Sequence, residues 1–100
     1  MIIYNVTVNI DEVVCDQWVE WMKIVHIPDV MSTGCFLEFR FAKVLVEEES
    51  GTTYSIQYLS RNMESLNDYQ SNFATRLQKE HSDKFANKYV AFRTLLELVD

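Results

Sequence analysis

Hydrophobic residues recur along the chain at two different spacings, and the changes between them divide it into six elements. In residues 2–10 an apolar set at every second position (Ile2, Tyr4, Val6, Val8, Ile10) alternates with a set that is polar except for Ile3, which is the pattern of a half-buried strand. Helical spacing follows over about residues 12–26. Asp11 offers an N-cap there, and Ile27-Pro28 is expected to end the helix because the residue before a proline avoids helical geometry. Residues 29–31 allow one further turn before Ser32-Thr33-Gly34 breaks it.

The rest of the chain is predicted to form two strands, a helix and a last strand. Residues 35–46 and 52–60 alternate as two strands, and the charged loop between them carries Gly51, as expected of a hairpin. An apolar stripe then predicts a helix from about Ser65 to Lys84, and a final strand runs from about Tyr89 to Val99.

The order β-α-β-β-α-β in 100 residues predicts one α+β domain over residues 1–100 with a ferredoxin-like fold. Right-handed crossovers place both helices on one face of an antiparallel sheet. The strand residues expected under the helices are Ile2, Tyr4, Val6, Val8, Ile10, Cys35, Leu37, Phe39, Phe41, Lys43, Leu45, Tyr54, Ile56, Tyr58, Val90, Phe92, Leu96 and Leu98, among which the charged Lys43 is an exception.

The opposite face of the sheet is expected to be mixed in polarity. It would carry Ile3, Asn5, Thr7, Asn9, Phe36, Glu38, Arg40, Ala42, Val44, Val46, Ser55, Gln57, Leu59, Ala91, Arg93, Leu95 and Glu97. Its apolar members form too large a patch for free exposure. Two such sheets packed face to face around a two-fold axis would cover the patch, so a homodimer is predicted.

Composition limits the partners. The net charge of −6 and the dispersed basic residues argue against nucleic acid and anionic membranes. No stretch approaches a membrane span, and the first residues do not resemble a secretion signal. Cys15 and Cys35 match no metal or redox spacing, so two buried thiols in a reduced cytoplasmic protein are expected.

Several segments resemble a bacterial family of unknown function, which is grouped with the dimeric α/β-barrel proteins and the antibiotic-biosynthesis monooxygenases. The segments are residues 1–8, Trp21-Met22, residues 26–30, Thr33-Gly34, residues 53–58 and residues 91–94. The resemblance spans nearly the whole chain. It implies the dimeric α/β-barrel arrangement and a homodimer. It implies no activity, because the family has none assigned.

Polar residues on the predicted open face are the candidates for ligand binding. They are Asn5, Glu38, Arg40, Gln57 and Arg93. In the functional interpretation they line a cleft for a small molecule, and Arg40 or Arg93 binds a carboxylate. In the structural interpretation, which we prefer, their charges pair within the dimer interface.

Two histidines are the candidate catalytic residues. His26 could act as a general base held by Asp29, and His81 lies late in the second predicted helix; both are also suited to structural roles near a helix end. No ligand set for a metal and no cofactor motif is present, so neither is expected. Haem-degrading proteins of the resembled superfamily use an Asn, a Trp and a His; Asn5 and His81 match two of these, and no Trp matches the third.

Two functions remain open from the sequence. The first is a homodimer that binds a small molecule or a partner in the sheet cleft. The second is a cofactor-independent monooxygenase acting on a small aromatic substrate, with His26, His81, Asn5 or Arg93 beside the substrate. Whether the protein is an enzyme is not decided by the residues.

Overall fold

A computed structural model describes residues 1–99 of the chain. The strands are β1 (Ile2–Ile10), β2 (Glu38–Lys43), β3 (Thr52–Ser60) and β4 (Tyr89–Glu97). The first helical region comprises a 3₁₀ turn (Glu12–Val14), α1 (Cys15–Trp21), a π-helical turn (Met22–His26) and α2 (Ile27–Ser32). The second comprises α3 (Met63–Asn72) and α4 (Ala74–Lys84).

The strands form one antiparallel sheet in the order β2-β3-β1-β4. Residues paired in register across the strands share a face: Tyr4 lies opposite Tyr58 on β3 and Leu95 on β4, and Val6 lies opposite Ile56 and Arg93. Both helical regions cover this face, where the core lies. The α+β, ferredoxin-like prediction is therefore confirmed.

The first helical region continues without a break through Ile27-Pro28, where it was predicted to stop, and includes the further turn allowed over residues 29–31. Ile27 donates its N–H to the carbonyl of Met22, five residues back, which is the hydrogen bond of a π-turn. This wider turn leaves Pro28 in the first turn of α2, where no backbone N–H is needed. The helical region therefore ends at Ser32, near the positive-φ Gly34.

The other elements differ from prediction at their ends. The second helix is interrupted at Phe73, whose φ of −128° is not helical. Strand β2 is only half as long as expected. Cys35 and Phe36 precede it and turn beneath the helices, where the Phe36 ring lies 4.9 Å from that of Tyr69 and 5.1 Å from that of Tyr58. The expectation that Phe36 lies on the open face was wrong.

Strand β4 has the opposite orientation to the one predicted. Val90, Phe92, Leu96 and Leu98 belong to the open face, whereas Ala91, Arg93, Leu95 and Glu97 belong to the helix-covered face. Both the even-numbered and the odd-numbered positions of this strand include apolar residues. The prediction turned the more apolar, even-numbered set toward the helices, whereas in the structure that set faces away from them. A rule that turns the more apolar side toward the core fails on this edge strand.

Trp18 is the centre of the core at one end of the sheet. Its side chain is fully buried, and its ring lies 5.2 Å from that of Tyr54 and 5.7 Å from that of Phe41. At the other end Tyr4 contacts Phe36, Tyr58 and Tyr69.

Among residues 1–99, no helix is both long and apolar enough to cross a bilayer.

The two glycines provide a matched stability test, since both have positive φ: 78° at Gly34 and 70° at Gly51. A Cβ at Gly34 would meet no atom within 4 Å, whereas one at Gly51 would clash with the Asn9 side chain and lie 2.8 Å from the Ile10 carbonyl oxygen. Gly34→Ala should therefore cost about 1–2 kcal/mol of unfolding free energy through backbone strain alone. Gly51→Ala should cost measurably more in urea titrations. Equal losses would contradict the close approach at Gly51.

Candidate functional site

A narrow crevice lies between the helices and the sheet, on the face that holds the core. Its lining residues are Tyr4, Val6, Val8, Met22, His26, Val30, Ile56, Tyr58, Tyr69, Gln78, His81, Tyr89, Ala91 and Arg93. Its volume is about 40 Å³, which is room for roughly three water molecules. The crevice brings both candidate catalytic histidines together with Arg93, which was expected on the other face.

His81 is held in one protonation state by a buried hydrogen bond. Trp18 Nε1 donates to His81 Nε2 at 2.9 Å, so Nε2 carries no proton and the neutral ring has its proton on Nδ1. The Tyr89 ring packs edge-on against the His81 ring at 4.5 Å, and the Tyr89 hydroxyl pairs with Ser82 Oγ at 2.7 Å. His81 thus presents a fixed Nδ1–H donor.

His26 lies on the π-helical turn and faces His81, with ring centroids 5.7 Å apart. Its ring stacks on Trp21 at 5.2 Å. Its Nδ1 is buried and has no hydrogen-bond partner among residues 1–99, so the expected bond from His26 to Asp29 is not formed. A buried nitrogen without a partner costs free energy, which marks the atom as one that a ligand could satisfy.

Arg93 brings a positive charge to the crevice from strand β4. Its Nε donates to the Tyr4 hydroxyl at 3.0 Å, which fixes one side of the guanidinium. No carboxylate among residues 1–99 forms an ion pair with it. The side chain is exposed, so Arg93 stands at the mouth of the crevice and His81 lies deeper.

Both histidines are neutral at pH 7. Burial, followed by the nearby Arg93 charge, lowers the pKa of His26 to about 4. Burial, then His26 and then Arg93 lower the pKa of His81 to about 4. Burial also raises the pKa of the Tyr69 and Tyr58 hydroxyls, which stay protonated. The crevice therefore contains one fixed charge, that of Arg93, surrounded by neutral donors and acceptors.

These shifts predict a loss of stability in mild acid. Between the ordinary histidine pKa of 6.5 and about 4, the unfolded chain binds protons that the folded chain does not, so unfolding free energy must fall as pH falls through this range. The loss should reach up to roughly 3 kcal/mol per histidine. Urea titrations at several pH values measure it.

The matched control is His81→Gln, which can still accept from Trp18 and cannot titrate. This variant should show a shallower fall in stability between pH 6.5 and 4 than the wild type. The same slope in both proteins would show that His81 is not the buried neutral base described above.

The other four predicted ligand-binding residues lie on the open face, separated from Arg93 by the sheet. Asn5 and Arg40 both pair in register with Gln57, and Glu38 pairs with Leu59. A shallow depression of about 130 Å³ here is lined by Ile3, Glu38, Phe39, Arg40, Gln57, Leu59 and Leu98. Asn5 Oδ1 accepts from Ser55 Oγ at 2.6 Å. Because Asn5 and His81 lie on opposite sides of the sheet, they do not reproduce the paired roles of the haem-degrading proteins.

Comparison with known proteins was made on sequence and on structure. The model of DUF4286, a domain of unknown function, matches residues 1–99. The chain belongs to the DUF4286 family. A search of the curated proteins finds no significant match.

Solved structures with the same fold share little sequence with this DUF4286 protein. HapK from Hahella chejuensis is 10% identical, with a TM-score of 0.74 over 99% of this chain and 93% of that one. A dimeric ferredoxin-like protein from an uncultured marine organism is 15% identical, with a TM-score of 0.72 over 100% and 96%. An antibiotic biosynthesis monooxygenase is 11% identical, with a TM-score of 0.68 over the full length of both chains. At such low sequence identity, these structural matches establish only the fold of the DUF4286 protein.

Sequence reasoning missed the crevice because its parts come from distant segments. Trp18 and His81 are 63 residues apart, and Arg93 and Tyr4 are 89 apart. One signal was available: His81 continues the apolar stripe of Phe73 and Leu77, so its side chain had to face the core. A buried histidine nitrogen needs a hydrogen-bond partner, and the indole N–H of a tryptophan can supply the donor.

Proposed function

We propose that this protein is a homodimer that binds a small molecule in the crevice between its helices and sheet, while its open face contacts a second copy. The observation that carries the binding proposal is the buried Nδ1 of His26, which has no partner; the His26 ring lies 5.7 Å from that of His81, and both line the crevice with Arg93. We also propose that residues 1–100 act as one domain of a bacterial cytoplasmic protein; the free, buried Cys15 and Cys35 support a reducing compartment.

The open face supports the homodimer. Val90, Phe92 and Leu96 on β4, and Leu98 just after it, expose between 41% and 71% of their surface on this side of the sheet. Such a row of apolar side chains on a sheet is characteristic of a contact surface. Three of the structural neighbours are named dimeric ferredoxin-like proteins. A self-complementary contact between two copies would also cover the depression beside Arg40.

We place the ligand in the crevice, and not in the cleft on the open face of the sheet, because of the residues that line the crevice. Its lining combines apolar walls with a few convergent polar groups, as binding pockets do. At about 40 Å³ it is smaller than the roughly 300–1,000 Å³ of most ligand pockets. A ligand would therefore displace side chains at the mouth, where Arg93 and the half-buried Gln78 lie.

A thermal-shift screen of small metabolites, followed by variants, tests the site. Ala91 lines the crevice, so Ala91→Phe should fill it and abolish the stabilisation given by any hit. Gln57→Ala alters the open-face depression and should leave the stabilisation intact. A hit that survives Ala91→Phe and is lost in Gln57→Ala would overturn the crevice proposal and support the sheet cleft instead.

A cofactor-independent monooxygenase is the second candidate function. A neutral His26 in an aromatic pocket favours it, since a neutral imidazole can accept a proton from a bound hydroquinone before oxygen reacts. His81 cannot serve as this base, because its Nε2 already accepts from Trp18. One structural neighbour is named an antibiotic biosynthesis monooxygenase. The test is oxygen consumption with an aromatic hydroquinone, which should fall strongly in His26→Gln. Turnover equal to the uncatalysed rate would remove this candidate.

A further inference from the structure

We propose that the ligand of the crevice is a small organic monoanion, a carboxylate or an enolate, whose charge is bound by Arg93 and whose oxygens accept hydrogen bonds from the histidine pair. This inference rests on the proposed function and narrows it to one ligand class. It follows from charge, from hydrogen-bond donors and from the shape of the crevice.

The charge at the mouth of the crevice is opposite in sign to the net charge of the protein. The chain has a net charge of −6, yet Arg93 is the one charged residue among the described residues that line the crevice, since both histidines are neutral. The Nε group of Arg93 donates to Tyr4, and the two Nη groups have no ion-pair partner among residues 1–99. A guanidinium held by a hydroxyl with its fork free suits bidentate binding of a carboxylate.

The neutral groups around Arg93 add donors rather than negative charge. His81 carries its proton on Nδ1, because Nε2 accepts from Trp18. His26 Nδ1 is buried without a partner and can donate in the tautomer protonated there. No Asp or Glu lines the crevice within residues 1–99, so nothing there competes with an anion.

The position of these groups sets the orientation of the ligand. Arg93 lies at the exposed mouth and the histidines lie deeper, beside Met22, Val30 and Ile56. The anionic group would bind between Arg93 and the histidines, and the remaining carbon atoms would contact the apolar walls. A large or multiply charged ligand is disfavoured, because the space is small and offers one counter-charge.

The experiment compares two probes of nearly equal size, benzoate and benzamide, by calorimetry at pH 7. Benzoate should bind at least tenfold more tightly than benzamide. Arg93→Gln should remove this preference, and Arg93→Lys should restore part of it because the charge is kept. Arg40→Gln is the matched control, since Arg40 lies on the opposite face of the sheet, and it should leave benzoate affinity unchanged.

The outcomes separate this inference from the proposed function. Binding of benzamide as tight as that of benzoate, abolished by Ala91→Phe, would overturn the anion inference and leave the crevice as the site. Benzoate binding that is lost in Arg40→Gln and kept in Arg93→Gln would overturn both. Absence of any heat with millimolar benzoate would also overturn the anion inference.

Discussion

The Trp18→Ala variant is expected to lose about 3–5 kcal/mol of unfolding free energy, the largest effect of any single substitution considered for this protein. Trp18 is fully buried against Tyr54 and Phe41, so the truncation leaves a cavity under α1. It also leaves His81 Nε2 without its donor. Domains of this size are typically stable by only about 5–15 kcal/mol, so much of the margin would disappear. Urea unfolding followed by circular dichroism measures the change.

The control is Trp18→Phe, which keeps a six-membered aromatic ring and removes the N–H together with the rest of the five-membered ring. It should cost about 1–3 kcal/mol, the penalty for an unsatisfied buried acceptor plus a small packing loss. A phenylalanine variant as unstable as the alanine variant would show that the hydrogen bond to His81, rather than ring packing, stabilises this part of the core. An alanine variant within 1 kcal/mol of wild type would contradict the buried position of Trp18.

The Phe92→Glu variant is expected to convert the proposed homodimer to monomer. Phe92 is 63% exposed on the open face of β4, and a second copy packed there would bury it. A glutamate in its place would put two symmetry-related, unpaired charges into an apolar contact, which costs several kcal/mol. Light scattering coupled to size-exclusion chromatography should report half the wild-type mass.

Leu95→Glu provides the matched control, because Leu95 lies on the same strand, is 50% exposed and belongs to the opposite face. It should remain dimeric. Dissociation by Leu95→Glu with no effect of Phe92→Glu would mean that the face covered by the partner has been misassigned. The pair therefore tests the orientation of β4 as well as the interface.

Local patterns were sufficient to predict the fold. The ferredoxin-like arrangement was predicted from the alternation in β1, the hairpin at Gly51 and two amphipathic helices. Each of these signals lies within one segment of the sequence. The residues at which helices and strands end were harder to predict. The π-helical turn that accommodates Pro28 depends on how the helix packs on the sheet, and no residue near it in the sequence indicates it.

The candidate site was less predictable, for a physical reason that β4 illustrates. Alternation shows that Phe92 and Arg93 point to opposite sides, but only packing decides which side faces the helices. The more apolar side was assigned to the core, although a dimer interface competes for the same kind of residue. As a result, Arg93 was predicted to lie with Asn5 and Arg40 on the open face, whereas it lies on the same face as His26 and His81.

Sedimentation equilibrium of the wild-type protein at micromolar concentration tests the central claim most directly, since the arrangement assigns the open face to a second copy and leaves the crevice free. The mass should be twice the 11.8 kDa of the chain. A single species of 11.8 kDa over the whole concentration range would contradict the pairing of the open faces.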